Sequence, residues 1–258
     1  MARLWPLAAS LPLVLASGLA ACGGGAGAPG GGGSSGNGGG GNGGSGGDGP
    51  AASFGDMHSG QFNLGPVDWS ESQWHNACGP YTADLEQLES RDELLAGLAD
   101  GWAADGGLCD ACVRITVASS QRSVVARVVT QGPNDIDLSP AAFAALDTSG
   151  VRDMSWQLVG CPDGGKIQYQ FQTGANVWWT SLWVRDARLP VTKVEVKSAN
   201  HADWFALSRN SDGTLDDGGG FGAGSFALRV TAVDGQTVTD TFPGFQPGAV
   251  LSSAGQFD

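Results

Sequence analysis

The sequence predicts a mainly β protein in which two folded domains follow an export signal and a flexible tether. Short runs rich in valine, threonine and aromatic residues recur toward the C-terminus, separated by Gly, Asp and Asn, which is typical of an antiparallel sandwich. Helical periodicity is confined to two short stretches in the first half. The chain has 258 residues, enough for two small domains at roughly 100–200 residues each.

The N-terminus has the features of an export signal. Arg3 precedes an apolar stretch at 4–19 that two prolines interrupt, as in a signal peptide rather than a membrane span. Leu19-Ala20-Ala21-Cys22 is similar to the lipobox of bacterial lipoproteins, in which the cysteine thiol is acylated. We expect a lipoprotein signal peptide at 1–21 and a lipid anchor on Cys22. The alternative is an ordinary signal beside an incidental cysteine.

A glycine-rich segment at 22–52 follows the signal. From Gly23 to Pro50, 18 of 28 residues are glycine, so the segment has nothing to pack and forms a tether with about 30 Å of reach. The expected location is therefore outside the cytoplasm, either anchored to a membrane at the cell surface or secreted.

The charge excludes some partners. The formal net charge is −13 and the pI is near 4.4, whereas phosphate binding needs a basic face, so nucleic acid is not expected as a partner. Residues 53–162 carry 5 Lys and Arg against 15 Asp and Glu, and this negative charge disfavours anionic polymers such as pectate. The chain also has nine tryptophans, and we expect several of them to form part of a core or of a binding surface.

Four cysteines other than Cys22 fall in the first half. An even number in an exported domain implies two disulfides, with three pairings open. The close pair Cys109 and Cys112 precedes a predicted strand rather than a helix, and no second close pair completes a zinc site. The three histidines are far apart in sequence, and no metal or cofactor is expected. The residues in question are Cys78, Cys109, Cys112 and Cys161, and His58, His75 and His201.

The first half is predicted to contain strands at 114–118, 124–130 and 155–159 and two short helices. Ser90 and Glu93 form a capping box before Leu94, Leu95 and Leu98. Ser139 and Pro140 supply an N-cap and a first-turn proline for a helix at 141–146.

The second half is predicted to be a small antiparallel sandwich with strands at 168–172, 177–184, 191–197, 226–232 and 237–241. The turn-rich break from Cys161 to Gly165 separates it from the first half, which gives domains at 53–162 and 163–258. Alternation along 178–184 places Trp179, Ser181 and Trp183 on one face and Trp178 toward the core. Trp204, at the start of a strand, is expected in the core.

An ordered series of motifs resembles the expansin family. The motifs are Asn76-Ala77-Cys78-Gly79-Pro80-Tyr81, Gly107-Leu108-Cys109-Asp110-Ala111-Cys112-Val113, Asp137-Leu138-Ser139-Pro140-Ala141-Ala142-Phe143, Trp156-Gln157-Leu158-Val159-Gly160-Cys161 and Asn176-Val177-Trp178-Trp179. The resemblance implies a double-psi β-barrel followed by an immunoglobulin-like β-sandwich similar to carbohydrate-binding module family 63. It also implies a protein that binds cellulose or a related β-glucan and loosens plant cell walls without hydrolysis, and it pairs Cys78 with Cys109 and Cys112 with Cys161. We expect the protein to be a monomer.

The resemblance also assigns site residues. Asp137 occupies the position of the acidic residue that expansins share with the related family 45 cellulases. The alternative, without the resemblance, is an Asp that caps a turn or a helix start. Thr130 and Gly132 stand where bacterial expansins usually carry Asp and Tyr, and Asn63 begins the pair that replaces a usual Thr-Tyr. Inverting hydrolysis needs two carboxyl groups, so the loss of one disfavours an enzyme.

Two further points stay open at this stage. Asp135 is the substitute candidate for the second carboxylate, although we expect it to be a solvated loop residue. In the second domain the resemblance places both Trp178 and Trp179 on the binding surface, against the alternation for Trp178. A third stacking aromatic is missing near Asn210, and Trp183 is the candidate to replace it.

Two other functional classes remain. One is a glycan-cleaving enzyme with the same barrel, either an endoglucanase or a lytic transglycosylase. The tryptophan-bearing second domain argues against the transglycosylase, which needs a peptidoglycan-binding module. The other class is a cell-surface cellulose adhesin whose barrel is inert.

Overall fold

The computed structural model describes residues 52–65, 77–81, 94–99, 106–132, 134–146, 152–162 and 165–258. The predicted signal peptide at 1–21, Cys22, the tether up to residue 51, His75 and the capping box of Ser90 and Glu93 lie outside the described residues. From Asp48 to Asp258 the chain forms one compact unit. Within the described ranges, no helix is both long and apolar enough to cross a membrane.

Six strands close into a barrel in the order β1-β5-β2-β4-β3-β6. The β1–β5 and β2–β4 pairs are parallel, and the other pairs are antiparallel. One helix, α1 (Pro140–Leu146), follows β5. The barrel strands are β1 (Ser53–Leu64), β2 (Leu95–Ala99), β3 (Cys112–Val117), β4 (Ser123–Gly132), β5 (Ile136–Leu138) and β6 (Asp153–Val159).

Alternating apolar residues fill the barrel. Side chains such as Phe62, Ile115 and Ile136 are fully buried in one cluster, as expected where one face of each strand points inward. The predicted cap of α1 is present, because the Ser139 hydroxyl oxygen accepts the N–H of Ala142 at 3.3 Å. The same oxygen accepts the N–H of Leu95 at 3.1 Å, so the cap also joins the helix to β2.

The prediction of a helix through Leu94, Leu95 and Leu98 is wrong from Leu95 onward. Residues Leu95–Ala99 form strand β2, which pairs with β4 on one side and β5 on the other. A short apolar run does not distinguish a buried strand from a buried helix by periodicity. Here the segment is a strand because it pairs with β4 and with β5, and Gly97 in its middle makes a helix less stable by about 1 kcal/mol.

The second half forms two antiparallel sheets, with strand orders β10-β9-β13-β14 and β11-β12-β8-β7-β15. Their inner faces share one core that includes Tyr169, Phe171, Phe221 and Leu228. The strands are β7 (Gln168–Phe171), β8 (Thr180–Arg185), β9 (Val191–Lys197), β10 (Phe205–Ala206), β11 (Ser208–Arg209), β12 (Leu215–Asp217), β13 (Phe226–Ala232), β14 (Thr237–Phe242) and β15 (Val250–Ser252).

Three strands of the second half have bounds close to the predicted ones. β9 and β13 have the predicted bounds, and β14 ends one residue later than predicted. Strand β1 was missed because its sequence is rich in Gly, Ser and polar residues and lacks β-branched side chains.

Trp204 does not lie in the sandwich core, so that prediction is wrong. The side chain is half-buried, and the Arg229 guanidinium lies 4.4 Å from its ring centroid. A cation held over an indole face stabilises it without enclosing it in the core.

A buried polar cluster joins the barrel to the sandwich. Arg185 on β8 is fully buried and its Nη1 lies 2.5 Å from the Asp110 carboxylate of the barrel. Asp110 also accepts the Tyr81 hydroxyl at 3.1 Å. Burial first, and then the Asp110 charge, raises the pKa of Tyr81 well above its ordinary value. We call Tyr81, Asp110 and Arg185 the junction cluster.

Candidate functional site

Two disulfides stabilise the barrel end that meets the sandwich. They join Cys78 with Cys109 and Cys112 with Cys161, the pairing that the resemblance implies. Cys109 also packs on the sandwich, since a Cβ added to Gly213 would lie 2.7 Å from the Cys109 Cβ. The bridges therefore fix the barrel segments to one another, and Cys109 packs against Gly213 of the second half.

Four neighbouring barrel strands place Asn63, Asp137 and Thr130, which the resemblance assigns to the site, in one row. Asn63 on β1 pairs with Asp137 on β5, Asp137 pairs with Gly97 on β2, and Gly97 pairs with Thr130 on β4. Three strand spacings give the row a length of about 14 Å. Asn63, Asp137 and Thr130 are half-buried, so they are partly accessible from outside the barrel. We call these four residues the barrel row.

Glycines leave space beside Asp137. A Cβ added to Gly132 would lie 2.8 Å from Asp137 Oδ2, and one added to Gly97 would lie 2.8 Å from Thr130 Cγ2. Both distances are too short for a real Cβ, so any side chain at either position would displace its neighbour. The two glycines therefore let the Asp137 carboxylate lie against Gly132 of β4 and let the Thr130 methyl group lie against Gly97 of β2.

The polar groups of the row are already oriented by neighbours. Asn134 Nδ2 donates to Asp137 Oδ1 at 2.9 Å, and Arg152 Nη1 donates to Asn63 Oδ1 at 2.9 Å. The Thr130 hydroxyl oxygen accepts the backbone N–H of Ala77 at 3.1 Å. Asn134 and Arg152 were not predicted from the sequence, because nothing in its local pattern links position 152 to position 63.

Asp135 differs from the expected solvated loop residue. Its carboxylate is half-buried and its Oδ2 accepts the backbone N–H of Gln61 on β1 at 2.9 Å. Asp137 instead has its Oδ2 beside Gly132 on β4. The two carboxylates therefore turn toward different neighbouring strands, and Asp135 has a role in holding β1.

A tight turn between β7 and β8 presents two tryptophans. Asn176 and Trp179 form a β-bridge across Val177 and Trp178. Asn176 Oδ1 accepts the N–H of Trp178 at 2.9 Å and that of Trp179 at 3.2 Å. The Trp178 side chain is 74% exposed, and Trp179 is half-buried. We call Asn176 to Trp179 the tryptophan turn.

The alternation that placed Trp178 in the core is therefore wrong, and Trp183 is not a surface residue either. Strand β8 begins only at Thr180, so the two-residue period does not extend back to Trp178. Trp183 is 5% exposed. Its indole Nε1 donates to the Asp212 carbonyl at 3.0 Å, and the Arg185 guanidinium lies 4.9 Å from its ring centroid. Trp183 thus packs at the junction with the barrel and offers no face to a ligand.

The two described histidines have structural contacts. The His58 ring stacks on Trp156 at 4.3 Å. His201 Nε2 lies 2.7 Å from Asp217 Oδ2, and its ring stacks on Phe205 at 4.1 Å. Across the described ranges, no group of three or more His, Cys, Asp or Glu side chains could hold a metal ion.

Comparison with known proteins agrees with this architecture. Residues 62–159 match the Barwin family, a region that runs from β1 to the end of β6. Expansin-like protein 3 of Dictyostelium discoideum is 27% identical over 176 residues, covering 64% of this chain and 51% of the relative. Expansin-YoaJ of Bacillus subtilis (strain 168) is 30% identical over 110 residues, covering 42% of this chain and 46% of the relative. The chain thus spans about half the length of these two curated relatives.

A solved structure extends the likeness to 78% of this chain. A mutant of Clavibacter michiganensis expansin in complex with cellohexaose superposes with a TM-score of 0.63 at 19% sequence identity, covering 78% of this chain and 98% of that chain. The fold is therefore a double-psi β-barrel followed by a β domain. The barrel region at 62–159 matches the Barwin family, and the relatives and the solved structure to which the chain is similar are expansins or expansin-like proteins.

Proposed function

We propose that the chain is an expansin-like protein that binds cellulose or a related β-glucan and loosens plant cell-wall polysaccharide packing without hydrolysis. The observation that carries the proposal is the tryptophan turn, which holds Trp178 74% exposed. A large exposed apolar side chain is unfavourable in water and marks a binding surface when it is held rigidly. Sugars present a face of C–H groups that an indole ring can cover.

The likeness to an expansin in complex with cellohexaose supports a β-glucan as the ligand of this turn. Covering an indole ring with a glucan chain contributes enough free energy for a binding contact at the surface. Covering about half of an indole, or about 100 Å², contributes roughly 2.5 kcal/mol at about 25 cal/mol per Å². Two such side chains on one turn favour a flat polymer over a small soluble sugar, because a surface offers both rings a partner.

The barrel row supports contact with a glycan without its cleavage. It contains one carboxylate, Asp137, beside two neutral polar side chains, Asn63 and Thr130. Inverting cleavage needs an acid and a base about 6.5–9.5 Å apart across the sugar. Asp135 is the alternative base, but its carboxylate is occupied by the Gln61 N–H. We therefore assign to the row hydrogen bonding to a glucan chain.

We further propose that the protein is exported and anchored to a membrane through Cys22. The basis is the sequence alone: an apolar stretch, Leu19-Ala20-Ala21-Cys22 and a glycine-rich tether. An acyl chain contributes about 0.8 kcal/mol per buried CH₂, so a doubly or triply acylated cysteine would keep the folded unit at the membrane.

The decisive experiment is a pull-down on microcrystalline cellulose and on peptidoglycan sacculi, with sugar release measured in both. We expect retention on cellulose, weak retention on sacculi and sugar release at background. Trp178→Ala should weaken cellulose binding, whereas Val233→Ala should not; Val233 is an exposed apolar residue in another sandwich turn. Steady release of cello-oligosaccharides would make the protein a glucanase, and retention on sacculi alone would favour the transglycosylase.

A further inference from the structure

The tryptophan turn does not stand alone, because a glycine-rich loop after β12 packs directly beneath it. The N–H of Gly222 donates to the Val177 carbonyl at 2.9 Å. The N–H of Phe221 donates to the Thr180 hydroxyl oxygen at 3.2 Å, and that hydroxyl donates to the Asn176 carbonyl at 3.0 Å. We call residues 217–222 the brace loop. It contacts the tryptophan turn directly at Val177 and reaches Asn176 through the Thr180 hydroxyl.

The fit between the brace loop and the turn leaves no room for a side chain. Gly220 has a φ of +68°, a conformation that favours glycine. A Cβ added there would overlap the Val177 carbonyl oxygen and lie 2.5 Å from the Trp178 carbonyl carbon. The position of Trp178 therefore depends on where the brace loop lies.

One side chain from a different segment holds the brace loop in place. Asn200 Nδ2 donates to the Gly219 carbonyl at 3.1 Å and to the Gly220 carbonyl at 2.9 Å. Its backbone N–H donates to the Phe221 carbonyl at 3.4 Å. Asn200 thus contacts three successive residues of the loop, although it touches neither tryptophan in these hydrogen bonds.

The turn that carries Asn200 is itself ordered. Ser198 and His201 exchange backbone hydrogen bonds at 2.9 and 3.1 Å. His201 Nε2 lies 2.7 Å from Asp217 Oδ2, and the other oxygen of Asp217 accepts the Gly219 N–H at 2.9 Å. The brace loop is therefore held from the same side at its start and at its middle.

We infer that Asn200 is a positioning residue for glycan binding, acting through the brace loop to keep Trp178 exposed in one orientation. This inference rests on the proposed function of the tryptophan turn. The reason is preorganisation: a binding surface that is already ordered loses less conformational entropy when the ligand arrives. Without the Asn200 amide the carbonyls of Gly219 and Gly220 lose their donor, and the loop and the indole above it gain freedom.

The test is a double-mutant cycle on cellulose binding with the full exported chain. Asn200→Ala should weaken binding about three- to tenfold, the size expected for losing two hydrogen bonds that act indirectly. Asn200→Asp should weaken it at least as much, because it keeps the shape but replaces the donor with a carboxylate facing two carbonyls. Trp178→Ala/Asn200→Ala should bind no more weakly than Trp178→Ala alone.

The matched control is Gln236→Ala. Gln236 also bridges a turn through its side-chain amide, to Asp234 at 2.7 Å, but at the opposite end of β13 from the brace loop. Its removal should leave cellulose binding unchanged. Binding and melting temperature are measured together, and the Asn200 variants should keep the native near-UV spectrum at the binding temperature.

Three outcomes would overturn the inference. They are unchanged binding in Asn200→Ala, a loss that adds fully to that of Trp178→Ala, and a loss that appears only when the native spectrum is lost. If Trp178→Ala itself binds cellulose normally, the proposed function of the turn fails first, and the two failures are thereby distinguished.

Discussion

Replacing Arg185 with methionine removes a fully buried guanidinium from the junction cluster while keeping an apolar stem of similar length. The side chain now makes an ion pair with Asp110 at 2.5 Å and donates to Gln170 Oε1 at 2.9 Å and to the Pro80 carbonyl at 3.2 Å. Its guanidinium also lies 4.1 Å from the Tyr81 ring centroid. Arg185→Met therefore leaves one carboxylate and two neutral acceptors buried without this donor.

The cost follows from these contacts. Removing one partner of a buried ion pair costs about 3–5 kcal/mol, because the other charge stays desolvated. Asp110 keeps the Tyr81 hydroxyl as a donor, and Arg127 still donates to the Asp110 backbone carbonyl at 2.8 Å, so we expect about 4 kcal/mol. For a domain of roughly 150–250 residues that free energy lowers the melting temperature by about 8–16 °C.

Thermal unfolding followed by circular dichroism, with urea unfolding beside it, measures the effect. The double variant Asp110→Asn/Arg185→Met is the internal control, since Asn tolerates the φ of +64° at position 110 and carries no charge. It should be more stable than Arg185→Met alone. A loss below about 1 kcal/mol, or a double variant whose loss equals the sum of the two single losses, would refute a coupled buried pair.

The remaining predictions concern the barrel row, Glu195 in the sheet that contains β9, and the lipid anchor. Asp137→Asn should leave most of the cellulose binding in place, because the tryptophan turn supplies it, yet abolish wall-loosening activity, measured as extension of plant wall strips; undiminished extension would remove Asp137 from the mechanism. Hydrogen bonding from Lys193, and then from Arg229, lowers the pKa of Glu195. The ionised Glu195 therefore stabilises the fold above the unfolded pKa near 4.3, and this contribution is lost as the pH falls through the lower folded pKa. Glu195→Gln should accordingly lower the melting temperature more at pH 7 than at pH 3, and a pH-independent difference would contradict this. Cys22→Ala should move the protein from the membrane fraction to the soluble fraction, and unchanged partitioning would argue against acylation.

Local sequence patterns predict much of the fold. The alternation of Phe226, Leu228 and Val230 with more accessible neighbours predicts β13, because the two-residue period of side-chain direction is a property of the strand itself. Ser139 followed by Pro140 predicts the start of α1 for an equally local reason. The row residues Asn63, Thr130 and Asp137 were selected by resemblance, and strand register brings them side by side.

Tertiary structure decides which faces are covered, and that is where sequence reasoning failed. Trp183 has the alternation of a surface residue, but it is buried, with the Asp212 carbonyl at its indole nitrogen and the Arg185 guanidinium over its ring. The alternation places Trp178 in the core only if β8 already includes residue 178. The strand begins at Thr180, because Trp178 lies in the turn that the Asn176 side chain holds. Leu95 lies in a strand because β4 and β5 pair on either side of it. Sequence periodicity reports the local geometry of one element, whereas burial depends on the residues that pack against it from distant parts of the chain.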